Sequence, residues 1–216
     1  MKMLNKVRRY TLGEEVANSI THGVMAFVSF ALIAPTAIHA YLVGGVLDAV
    51  GTTIFASSIF LMFMTSTLYH IMSYDTKHKT IFQILDHIFI YIAIAGTYTP
   101  IALSVVGGWQ GIVIASLQWS MVLFGILYKS LARNSIPKIS LTIYLVMGWT
   151  ILIFLPIFII QANIILVILI GSGGVMYSAG VLFYSKKHLK YHHMLWHFFV
   201  NVGVAAHYVG LVFFLK

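Results

Sequence analysis

Cysteine is absent from the 216 residues, which excludes disulfides, thiolate metal sites and cysteine nucleophiles. Any metal must therefore be held by histidine, carboxylate or water. Charge is scarce too: Asp, Glu, Lys and Arg make up 8% of the chain, against roughly a quarter in soluble domains. Acidic residues are the rarest, five in all, so the position of each one carries information. What is abundant is apolar. Hydrophobic residues are 60% of the sequence and the mean hydropathy is +0.95, values of an integral membrane protein that crosses the cell membrane several times.

The apolar residues fall into seven runs of about 20, each long enough to cross a hydrocarbon core as a helix. They lie at approximately 20–43, 46–71, 81–104, 111–129, 139–160, 163–184 and 194–215. Barrel strands would alternate over about ten residues, and these runs do not. The expected fold is therefore an all-α seven-helix membrane bundle, a single domain spanning residues 1–216. The first run is too long for a signal peptide and is expected to stay as the first span. Pro35, Pro100 and Pro156 fall inside runs and predict kinks whose freed backbone groups are satisfied by neighbouring helices. Gly171, Gly173, Gly174 and Gly180 in the sixth run predict close helix packing.

The formal charge of +8 raises the question of nucleic acid, but the basic residues sit in short clusters between apolar runs, where they set membrane topology instead. Twelve of the thirteen fall on one side: Lys2, Lys6, Arg8 and Arg9 before the first run, Lys77 and Lys79 after the second, Lys129, Arg133 and Lys138 after the fourth, and Lys186, Lys187 and Lys190 after the sixth. Only Lys216 falls on the other. The positive-inside rule then puts the N-terminus in the cytoplasm and the C-terminus outside.

Several polar residues share the cytoplasmic end of this scheme. His193 and His197, four apart at the start of the seventh run, share one helix face, the arrangement in which two imidazoles reach one ion. His70 closes the second run at the same depth, and Ser66 lies one turn deeper on its face. With Asp48, at the very start of the second run, and Asp75 read as loop residues, Asp86, near the start of the third run, is the one acidic residue placed well within an apolar run, where an unpaired carboxylate is costly. Glu14 and Glu15 precede the first run on this reading, with Asn18 and His22 following on the same side. Three histidines around Zn2+ would leave the fourth tetrahedral position open to water, as in catalytic rather than structural zinc sites, and Asp86 is placed to orient or deprotonate that water. Ser66 is assigned a supporting role beside it. By spacing alone, histidines solvated at the membrane interface are an equal alternative, and other divalent metals would suit three imidazoles. His188 and His192 also stand four apart, but His188 lies in a basic loop. His207 is about 15 Å along the helix from His197, too deep for the same ion. His87 is turned about 100° from Asp86 and is assigned to packing or headgroup contact.

The stretches Glu15-Val16-Ala17-Asn18-Ser19-Ile20-Thr21-His22-Gly23, Ser66-Thr67-Leu68-Tyr69-His70, Leu85-Asp86-His87, Ala95-Gly96-Thr97-Tyr98-Thr99-Pro100 and His193-Met194-Leu195-Trp196-His197 together resemble the hemolysin III family. That family is the bacterial branch of the progestin and adipoQ receptor group, which includes the adiponectin receptors and is more distantly related to alkaline ceramidases. The resemblance implies a seven-helix fold with its N-terminus inside. It also implies zinc held by His70, His193 and His197, Asp86 holding the zinc-bound water, and Ser66 nearby.

Three functions follow as expectations. The first is a zinc-dependent hydrolase of lipid amides or esters, ceramidase-like, with membrane lipid as its partner and a role in lipid homeostasis. The second is a pore-forming cytolysin, for which no run offers the repeated polar face of an aqueous pore. The third is a non-catalytic sensor of membrane state with a structural zinc.

Overall fold

The computed structural model describes residues 8–131 and 137–215, and every regular element among them is helical. Arg133, the N-terminal Lys2 and Lys6, and Lys216 of the topology count lie outside these residues. Six helices are long and apolar enough to cross a membrane: α1 (Leu12–Gly44), α2 (Val46–Ile71), α3 (Lys77–Pro100, continued by a π-helical turn, Ile101–Val106), α4 (Gly108–Leu131), α7 (Ile164–Ser185) and α8 (His192–Phe213). A seventh crossing is made if α5 (Pro137–Trp149) and α6 (Leu155–Gln161) count as one span, broken by a 53° bend.

The bend has a local cause. Pro156, in the first turn of α6, has no N–H to give, and its ring would clash with the carbonyl four residues back in a continuous helix. The backbone just ahead is unwound into a short 3-10 turn, Thr150–Leu152. Its exposed polar groups are met by other helices: Tyr98 Oη donates to Gly148 O at 2.7 Å and accepts from Ile151 N at 2.8 Å, and Gln118 Nε2 donates to Met147 O at 3.2 Å. Pro100 marks the change from α-helix to π-helix in the third span, whereas α1 continues through Pro35 without a break. A single residue, Gly45, separates α1 from α2, with φ +82°, a value that L side chains rarely adopt.

Two of the predicted starts come too late. α1 begins at Leu12 rather than near 20, because Thr11 and Glu14 form a reciprocal capping box. α3 begins at Lys77 rather than 81, capped by Thr76, whose hydroxyl accepts from Lys79 N at 3.1 Å. Both extra turns matter to the site, since they bring Glu15 and Lys79 into helices.

The helices close on themselves. α1 packs on α2, α2 on α3, α3 on α5, α5 on α7 and α7 on α8, and α8 returns to α1. Inside lies a cavity of about 510 Å3. At one end α1, α2, α3 and α8 are tied together by polar contacts: Tyr191 N donates to Glu14 Oε1 at 3.1 Å, Arg9 pairs with Asp75, and Arg8 donates to Lys187 O at 3.0 Å.

Candidate metal centre

Three imidazoles meet at that end. His70 comes from the last turn of α2, and His193 and His197 from the first turns of α8, with one ligand nitrogen from each within 4.8 Å of the other two. A tetrahedral ion with bonds of about 2.0–2.1 Å sets its ligand nitrogens roughly 3.4 Å apart. All three side chains are buried, and His70 Nε2 and both nitrogens of His193 have no hydrogen-bond partner among the described residues. Buried imidazole nitrogens are costly to leave unpaired, and a cation accepting their lone pairs removes that cost.

The tautomers needed for this are set by neighbours. His70 Nδ1 lies 2.5 Å from Glu15 Oε2, so it donates to the carboxylate and leaves Nε2 free to coordinate. His197 Nδ1 meets Thr21 Oγ1 at 3.2 Å, and Asn201 Nδ2 holds the Thr21 carbonyl at 3.3 Å. The donor set of three neutral imidazoles, without thiolate, fits a borderline divalent cation such as zinc.

Ser66 and Asp86 line the same cavity. Ser66 is buried one turn from His70, and its hydroxyl has no partner among the described residues. Asp86 is not one of the group that closes on the ion position. Its carboxylate faces the cavity from α3, with Oδ2 4.0 Å from His87 Nδ1. His87 also lines the cavity, although the sequence assigned it to packing or headgroup contact, and its Nδ1 is held by Gln83 O at 2.6 Å. His188 is exposed, as its basic surroundings predicted, but His192 is buried at the start of α8. His207 sits apart from the trio, pinned to Ile170 O at 3.1 Å.

A family model described as haemolysin-III related matches residues 10–208. The chain belongs to the hemolysin III family. It is 37% identical over 205 residues to the Bacillus subtilis hemolysin-3 homolog, covering 95% of this chain and 96% of that one. It is 34% identical over 215 residues to hemolysin-3 of Bacillus cereus, covering 99% and 98%. The human monocyte to macrophage differentiation factor is 28% identical over 213 residues, covering 93% of this chain and 84% of its own length.

This hemolysin III family member has site residues that the run-based reading missed. Glu15 is not ahead of the first span but buried in it. Besides His70 it accepts from Lys79 Nζ at 2.7 Å and from Tyr74 Oη. Lys79, counted as a solvated topology charge, is 1% exposed, with its ammonium 4.4 Å and 4.5 Å from the ring centres of Tyr69 and Tyr74. Burial, and the hydrogen bond to Glu15, push the Tyr74 hydroxyl above its usual range and keep it a donor. His22 stacks on His197, with ring centres 3.5 Å apart and planes 12° from parallel. The signal for α1 was present in the sequence. The Thr11-x-x-Glu14 box marks the helix start, and Glu15, Asn18, His22 and Ala26 then recur at three and four residues, one stripe facing inward.

Proposed function

We propose that this protein is a zinc-dependent hydrolase of lipid amides or esters, with His70, His193 and His197 as the metal ligands and a membrane lipid as substrate. The observation that carries this reading is a buried group of three imidazoles with unpartnered nitrogens, two of which, His193 and His197, line a cavity that continues along apolar wall, past Ile59, Ile94 and Ile101. A cavity of about 510 Å3 is within the range that accommodates small ligands or one acyl chain. In the proposed orientation the basic end faces the cytoplasm, so the lipid enters from the inner leaflet with its headgroup toward the histidines. The whole chain acts as one unit, since the ligands come from its second and last spans.

When bound, zinc supplies Lewis acidity, polarising a carbonyl and lowering the pKa of water to about 7. Asp86 accepts a proton from the attacking water and returns it to the departing amine or alcohol as the acyl carbon bond breaks. The free Ser66 hydroxyl is placed to donate to an oxygen of the reacting group. Glu15 and Thr21 hold His70 and His197 in the tautomers the site requires.

Zinc content per chain, measured on purified protein together with hydrolysis of acyl amides and esters, tests this. One zinc in the wild type, lost in His193→Ala but kept without turnover in Asp86→Asn, is the expected result. Full zinc in every variant with no turnover of any lipid would sink the hydrolase reading. The name of the Bacillus cereus relative supports a second reading, membrane permeabilisation. Dye release from defined liposomes separates the two, because a hydrolase leaves bilayers without its substrate intact.

A further inference from the structure

The cavity also carries a charge that the hydrolytic reading does not use. Lys129 stands two residues before the end of α4, only 9% exposed, and lines the same cavity as His193 and His197. Its ammonium forms no ion pair or hydrogen bond with another residue among those described. Asp86, which acts on it at a distance, is the single carboxylate among the described cavity residues. A lysine ammonium held inside an apolar helix bundle is costly without a counter-charge. Two further cations line the same cavity, Arg8 and the exposed Lys187, linked by the Arg8 to Lys187 carbonyl bond. Among the described residues, the cavity lining thus carries three Lys or Arg side chains and one carboxylate. The wall beyond is apolar, through Ile90, Ala93, Ile94 and Leu145.

An amphiphile that fits such a lining has an apolar chain and an anionic head. A neutral headgroup would leave Lys129 uncompensated. A cationic one would add repulsion from three sides. We infer that Lys129 is the anchor of an anion subsite, and that the cavity takes a single-chain lipid whose headgroup carries phosphate. The phosphate oxygens complete the counter-charge of Lys129 while the chain lies on the apolar wall. The inference rests on the lipid-binding part of the proposed function, narrowing the substrate class, but does not need turnover.

Binding to the purified full-length protein tests it with a matched pair of ether lipids that no hydrolase of esters or amides can cleave: an octadecenyl glycerol phosphate and the same octadecenyl glycerol without phosphate. The phosphorylated lipid is expected to bind about tenfold or more tightly, as a charge-assisted hydrogen bond contributes. Lys129→Gln removes that preference and Lys129→Arg retains it. The preference persists after chelator treatment, which separates Lys129 from a phosphate caught at the histidines. Asp86→Asn, which removes the competing carboxylate, raises it, and this variant decides the matter should Lys129→Gln not fold. Equal binding of the two lipids, or an undiminished preference in Lys129→Gln, overturns the inference while leaving hydrolysis untouched. Inorganic phosphate that competes at the lipid's own concentration overturns the lipid assignment in favour of a free anion. Loss of turnover on every lipid, with the preference intact, overturns the hydrolase reading alone.

Discussion

Glu15 accepts from His70, Lys79 and Tyr74 at once, and this one carboxylate couples the His70 imidazole to the two helix starts that carry Glu15 and Lys79. Replacing it with glutamine removes the charge but not the bulk. Metal affinity in Glu15→Gln is expected to fall roughly 10–100-fold, the usual effect of losing a carboxylate behind a ligating imidazole. Competition with a chromophoric chelator measures it. The same change strands Lys79, 1% exposed, without its counter-charge, and breaking a buried pair from one side costs about 3–5 kcal/mol. Thermal unfolding in detergent should therefore show a lowered midpoint. The double variant Glu15→Gln, Lys79→Met should recover the midpoint without recovering the metal. A double variant that regained both would mean Glu15 serves only to neutralise Lys79.

At the scale of elements, two features decide whether the ligands stay in register. The broken fifth span is held by Tyr98, which both donates to Gly148 O and accepts from Ile151 N. Tyr98→Phe leaves a part-buried carbonyl and a buried N–H without this partner, and should lower stability by about 1–3 kcal/mol, read from chemical unfolding in micelles. The second feature is the α7–α8 contact. A Cβ at Gly180 would stand 2.8 Å from Cε3 of Trp196 and 2.9 Å from Cβ of Phe199, on the helix that carries His193 and His197. At Gly171, which lies in α7 like Gly180, nothing lies within 4 Å. Gly180→Ala should destabilise by roughly 1–3 kcal/mol through overpacking. Gly171→Ala should be neutral or gain up to about 1 kcal/mol from helix propensity. Equal effects at the two positions would contradict the packing argument.

For the whole molecule, the testable quantity is its direction in the membrane. The absence of cysteine makes single introduced thiols clean reporters. His188 and Gln161 are exposed on opposite sides of α7, beyond its two ends. With the basic end in the cytoplasm, Gln161→Cys in intact cells reacts with a membrane-impermeant maleimide and His188→Cys reacts only after permeabilisation. The reverse pattern would invert the topology and move the cavity's polar end to the outer leaflet.

Much of this molecule could be read from its residues in order. Runs of about 20 apolar residues dictate membrane helices because backbone groups in lipid must be paired within the segment. The four-residue spacing of His193 and His197 dictates a shared face because a helix turns every 3.6 residues. The capping box at Thr11 was equally local, although hydropathy alone drew the first span too short. What no local rule reaches is which charges are buried. Glu15 and Lys79 are 64 residues apart, and each in isolation reads as a solvated charge beside a span. The same is true of Lys129, set near a helix end among other basic residues. Burial of such groups depends on what other helices bring within a few ångströms, because an ion is stable away from water only when a partner replaces its hydration. Spacing within each helix thus determined the candidate ligands, while the packing of α1, α2, α3 and α8 decided their partners.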